Sequence, residues 1–249
     1  MLDRLKRRKR ELPEYLKVPW GVRDIVVFVL AWFGSQLIIG LGLALLSPFL
    51  PPVKQFRNAI AGGNVDASFV LNLGGIAIGL GLIALFLRKY KVNWSAVGWR
   101  RVNLLKMLKY LFAALIIFVV MANVALVVVK LLVPSFDANQ AQTNDFTNAM
   151  GSHRSLVLIA LVLLPPIFEE TVFRGFIFPA LSKRGGLIWG AVLSSMLFGA
   201  AHGQPNLFVY TSILGLLLCF MYVKTRSIVP GVLLHMINNY LAFLALSGK

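Results

Sequence analysis

From Ile25 to Leu46 the chain runs without one ionisable side chain, and comparable apolar runs recur at about 67–87, 107–129, 155–178, 187–204, 207–223 and 228–246. Each approaches or exceeds the roughly 20 apolar residues needed to cross a hydrocarbon core. Inside lipid every backbone N–H and C=O must find its partner within the protein, which leaves helices and closed barrels. A barrel would show apolar and polar residues alternating over about ten positions at a time, and these runs do not alternate. The sequence therefore predicts an all-α, polytopic membrane helical bundle of about seven transmembrane helices. The range is six to eight, because the connection 204–207 is very short.

Composition agrees with that reading. Of 249 residues 58% are hydrophobic and only 14% charged, against about a quarter charged in a soluble domain. The net charge of +16 would suggest nucleic acid in a soluble protein. Here the basic residues gather between the apolar runs, where orientation and anionic headgroups call for them, so no nucleic-acid partner is expected. Basic residues crowd 1–23, 88–109, Lys183-Arg184 and Lys224 with Arg226, whereas 50–66 and 130–154 are poorer in them. The positive-inside rule then puts the N-terminus in the cytoplasm and the C-terminus outside, and the membrane expected is the plasma (inner) membrane of a prokaryote. The first apolar run is too long for a cleaved signal peptide.

The simplest division is a basic cytoplasmic segment, 1–23, and a single membrane domain, 24–249, with the catalytic core at about 155–246. The connection 88–106 carries Trp94 and Trp99 and suits a segment lying along the headgroups. Cys219 is the sole cysteine, which excludes an intrachain disulfide and a cysteine-based zinc site.

Ionisable groups inside a span are costly and mark function by default. The run 155–178 contains Glu169, Glu170 and Arg174. Glu170 and Arg174 stand at i,i+4 and share a helix face, where they can pair. Glu169 is rotated about 100° from its neighbour and is left to face something else, as a general base for water must. The next run holds Phe198 and, at i+4, His202, with Gly199, Ala200 and Ala201 small enough to admit a neighbouring helix. Taken alone, His202 reads better as a buried imidazole bonded to a carbonyl. The last run places His235 and Asn239 on one face. Gln36, Asn72 and Asn123 are isolated and read as interhelical hydrogen bonds, and His153 beside Arg154 has no assigned role.

The order Glu169-Glu170-x-x-x-Arg174, Phe198-x-x-x-His202, His235-x-x-x-Asn239 resembles the three-motif signature of the CPBP family. That family comprises the type 2 CAAX prenyl endopeptidases and the bacteriocin-processing or self-immunity (Abi) proteins. Val97-Gly98-Trp99-Arg100-Arg101 resembles, less specifically, the basic segment before the family core. The resemblance implies an intramembrane endopeptidase acting near the cytoplasmic face on a peptide or protein substrate, prenylated CAAX-type chains among them. By position Glu169 corresponds to the water-activating glutamate. His202 and His235 correspond to the residues that hold the water or the oxyanion, Asn239 to their assistant, and Glu170 and Arg174 to supporting residues. Two chemistries stay open. Glu169, His202 and His235 make a legitimate set for Zn2+ with an open position for water. Alternatively Glu169 activates water without a metal, the preferred reading, while the histidines stabilise the oxyanion. Two further classes compete, an ion- or proton-coupled transporter built on the same buried groups and a non-catalytic immunity or scaffold protein. Counting 1.5 Å per residue from the cytoplasmic ends places His202 deeper than Glu169 and His235, a mismatch that the spans alone do not remove.

Overall fold

A computed structural model describes residues 12–135 and 153–247. Among these residues it contains helices and turns and no strand. In chain order the helices are α1 (Val22–Leu46), α2 (Pro51–Ala61), α3 (Val65–Lys89), α4 (Leu104–Leu132), α5 (His153–Ala201), α6 (Pro205–Thr225) and α7 (Val229–Ser247). Short 3₁₀ turns occupy Glu14–Leu16 and Trp94–Val97. Helices α1, α3, α4, α5 and residues Leu207–Thr225 of α6 are long and apolar enough to cross a membrane, and Val229–Ala245 is a shorter apolar helix. The chain is a multi-pass integral membrane protein.

Helix α5 departs from a plain span. Gly186 has φ 78 and ψ 175, a conformation open to glycine because it has no Cβ, and it splits α5 into two limbs. The expected runs 155–178 and 187–204 are these limbs. The limbs meet closely: a Cβ on Gly190 would enter the space of Ser182. Gly203, at φ +68, then turns the chain into α6, which is how so short a connection suffices. A Cβ on Gly199 would run into the Ser212 hydroxyl and Phe208, and one on Gly215 into Ser195. The small residues expected to admit a neighbour do so along the α5–α6 hairpin.

Helix α2 falls in what the sequence marks only as a connection. Pro51 and Pro52 start it, where a missing N–H costs nothing. Val53, Phe56, Ala59 and Ile60 are partly covered while Lys54, Arg57 and Asn58 are exposed. Asn123 also differs from expectation: its amide bonds the Val119 carbonyl of its own helix at 2.7 Å.

The chain divides into two compact units, one formed by Met1–Ile25, Leu87–Asn139 and Glu169–His235, the other by Val26–Phe86, Gln140–Phe168 and Met236–Lys249. In the first, Ala114 and Phe118 of α4 pack with Leu214, Leu217, Leu218 and Met221 of α6 and Leu234 of α7. The segment before α1 is embedded in it too. Trp20 is fully buried, stacks on Phe176 at 5.1 Å and donates its indole N–H to the Phe176 carbonyl at 2.9 Å. Lys183 reaches the Val18 and Trp20 carbonyls, each at 2.9 Å. In the second unit Trp32 donates to the Gly75 carbonyl at 2.9 Å and its ring lies 5.6 Å from that of Phe168. Val157, Val162 and Phe243 form its apolar centre.

Candidate active site

Between two π-helical stretches of α5, Ile159–Leu163 and Thr171–Ile177, lies the α-helical segment Leu164–Glu170 that carries both glutamates. A π turn shifts each backbone bond from i−4 to i−5 and widens the helix, and such turns gather at functional sites. Here they change the carbonyl register: the Leu164 N–H bonds Ile159 O and the Phe178 N–H bonds Phe173 O. In the second stretch side chains join in, Ser194 donating to Phe173 O at 3.0 Å and Trp20 to Phe176 O. Trp99 donates to the Thr171 hydroxyl at 3.1 Å, so the tryptophan expected along the headgroups is turned onto α5 instead. Trp94 is the exposed one.

Gly175 is what lets the 97–101 segment come so close. A Cβ there would collide with the Val97 carbonyl oxygen, which is backbone and has little room to yield. Gly175→Ala is expected to cost about 1–3 kcal/mol, the usual toll of overpacking. Thermal unfolding of the purified variant measures it, and an unchanged melting temperature would show that the segment is loosely held.

Glu170 and Arg174 form the ion pair that their spacing suggests, Arg174 Nη1 donating to Glu170 Oε1 at 2.9 Å, with both residues 0% exposed. What the spacing does not show is the third member. His235, 2% exposed on α7, sets its Nδ1 3.1 Å from the same Glu170 Oε1. A carboxylate oxygen only accepts, so Nδ1 carries the proton and Nε2 is the ring's other face. Nε2 lies 3.7 Å from Glu169 Oε2, and the Glu169 side chain is 24% exposed, the one carboxylate of the two that opens outward. The distance exceeds a direct hydrogen bond and allows both atoms to touch one small molecule.

His202 closes α5 just after Ala201 and bonds the Phe198 carbonyl through Nδ1 at 2.8 Å. The carbonyl-bonded reading is therefore correct for Nδ1, and the same bond leaves Nε2 available. The Phe198 ring, fully buried, organises the cluster: His202 meets it edge-on at 4.9 Å, His235 at 5.5 Å, and the Arg174 guanidinium lies over it at 4.3 Å. One ring thus touches both imidazoles. Both imidazoles lie within electrostatic reach of Glu169. Among the described residues Glu169 Oε2, Glu170 Oε2, Arg174 Nε and Arg174 Nη2 are buried without a hydrogen-bond partner, an unusual load of polar atoms for an apolar helix.

Asn239 stands one turn beyond His235 on α7, and its amide donates to the Leu161 carbonyl at 2.9 Å. Glu169, His202 and His235 are also the set that a metal, if present, would use. A zinc site needs three or four converging donors, and among the described residues no three His, Cys, Asp or Glu side chains are placed to hold an ion. Glu169, His202 and His235 do not fit a metal as they stand.

Residues 151–241 match the model of a family described as type II CAAX prenyl endopeptidase, Rce1-like. Over 85 residues the chain is 32% identical to "Putative membrane peptidase YdiL" of Bacillus subtilis (strain 168), covering 34% of each protein. Over 86 residues it is 35% identical to "Uncharacterized 24.3 kDa protein" of Escherichia coli, covering 32% of this chain and 40% of that protein. The matches thus span well under half the length of these curated relatives. No solved structure matches.

Proposed function

We propose, from the match of residues 151–241 to the type II CAAX prenyl endopeptidase, Rce1-like, family model, that this chain is an intramembrane endopeptidase in which Glu169 activates water against a peptide bond. One observation carries the reading: Glu170 fixes the His235 ring through Nδ1, so that Nε2 faces Glu169 Oε2 at 3.7 Å. In the neutral ring Nε2 is an acceptor, and so is an ionised carboxylate. Water supplies two O–H donors and can satisfy both at once.

From that position the water oxygen bonds the substrate carbonyl carbon as its proton passes to Glu169. The carbonyl electrons move to oxygen and form a tetrahedral oxyanion. His202, when protonated on both nitrogens, donates to that oxyanion through Nε2 while Nδ1 stays on Phe198 O. Collapse breaks the C–N bond, and the leaving amine takes the proton from Glu169. Arg174 balances the charge of Glu170 and takes no part in the proton traffic. The basic segments support a site near the cytoplasmic side of the membrane, and the family description favours prenylated CAAX-type chains as substrates.

Cleavage of a quenched farnesylated peptide by purified protein, with and without a chelator, tests the proposal. Cleavage that persists in chelator is expected. Loss in chelator with recovery on adding zinc would replace the mechanism, and no cleavage of farnesylated or unmodified peptides would remove the function.

A further inference from the structure

A buried serine in a helix ordinarily gives its hydroxyl to the carbonyl one turn back in the same helix. Ser182 does so on Phe178 O at 2.8 Å, and Ser195 on Ala191 O at 2.7 Å. Ser194, 0% exposed, does not. It crosses from the second limb of α5 to the first and donates to Phe173 O at 3.0 Å. That carbonyl is the one that makes the turn wide. It takes the Phe178 N–H, five residues on, where an α-helix would offer it that of Ile177. A carbonyl has two lone pairs and can hold both donors. A side chain that enters the ladder draws a carbonyl out of line with the N–H four residues on, and Ser194 enters it where the register changes. The same face of the second limb carries Phe198, whose ring meets that of Phe173 at 5.1 Å, and then His202, each four residues after the last.

We propose that Ser194 is a positioning residue, which holds the wide turn Thr171–Ile177 open at Phe173 O and so sets the direction of the two glutamates before it. A π turn takes in one residue more than an α turn. Closing it to the α register would swing Glu169 and Glu170 by about 100° relative to the helix that follows. Glu170 Oε1 would then leave His235 Nδ1, now 3.1 Å away, and Glu169 Oε2 would leave Nε2, now 3.7 Å away. The influence of Ser194 on cleavage runs through the α5 backbone and not through contact with the reacting atoms. The cleavage readout rests on the proposed peptidase function; the claim about the turn stands apart from it.

The test compares Ser194→Ala with Ser194→Cys in the purified full chain. Ser194→Ala removes the donor, whereas Ser194→Cys, kept reduced, retains the shape and a weak S–H donor. Hydrogen exchange reads the turn directly. The Phe178 amide is expected to exchange about tenfold faster or more in Ser194→Ala and by a smaller factor in Ser194→Cys, with melting temperatures near that of the natural protein. In cleavage of the farnesylated peptide, Ser194→Ala is expected to lower kcat by about ten- to a hundredfold with KM little changed, the scale of a small misplacement. Ser194→Cys is expected to recover part of that loss. Unchanged exchange at Phe178 overturns the proposal, whether or not the natural protein cleaves any peptide. Faster exchange with unchanged kcat also overturns it, as does a loss of activity that merely follows the loss of folded protein or that Ser194→Cys does not relieve. If Ser194→Ala does not fold, a folded Ser194→Cys with reduced kcat supports the proposal, and its failure to fold overturns it. A natural protein that cleaves nothing, with exchange as expected, would remove the peptidase reading and leave Ser194 as the residue that holds the turn.

Discussion

Glu169→Gln is expected to lower peptide cleavage by about 10²- to 10⁴-fold, the usual worth of a positioned general acid–base group, while the protein stays folded. The two outcomes follow from the same geometry. Glutamine keeps the size and shape of the side chain but cannot take a proton from water. Its amide N–H can donate towards His235 Nε2, now 3.7 Å from Glu169 Oε2, so the vicinity gains a hydrogen bond in place of two facing acceptors. Because Glu169 is 24% exposed, no fully buried charge is orphaned. Steady-state cleavage and thermal unfolding of the same preparation check both halves. A variant that cleaves like the natural protein would show that Glu169 is not the base, whatever the family likeness.

Arg174→Ala is expected to act on the fold instead, costing about 3–5 kcal/mol, the range for removing one member of a buried ion pair. The Arg174 and Glu170 side chains are 1% and 0% exposed and 2.9 Å apart. Without the guanidinium the Glu170 charge would rest on His235 Nδ1 alone, and the Phe198 ring would lose the cation lying over it. Replacing both partners, as in Arg174→Met with Glu170→Gln, should recover part of the loss, since a pair removed together leaves no lone charge behind. Equilibrium unfolding in detergent measures the cycle. Wild-type stability for Arg174→Ala would mean that the pair contributes nothing to the fold.

The two experiments bear on different kinds of legibility. Apolar runs reveal spans because lipid forbids other backbone solutions, and the i,i+4 spacing of Glu170 and Arg174 reveals a pair because one helix fixes both ends. Contacts between helices leave no such trace. Nothing near Glu170 in sequence points to His235, 65 residues on. Nothing near Trp99 points to Thr171, and its indole reads as an interfacial anchor until the fold turns it inward. Helix α2 escaped because a search for long apolar runs passes over a short helix with one polar face. The metal question was open on residue types alone, since two histidines and a glutamate satisfy zinc as readily as they satisfy water.

The two histidines acquire their orientation at different moments in the life of the chain. His202 leans on Phe198, four residues earlier in its own helix, and is set once that stretch has coiled. His235 leans on Glu170 across the bundle and belongs to α7, which is made after α5. A newly made copy inserting span by span therefore gains the imidazole that Glu170 orients only after α7 has docked on α5, later than the one held by Phe198.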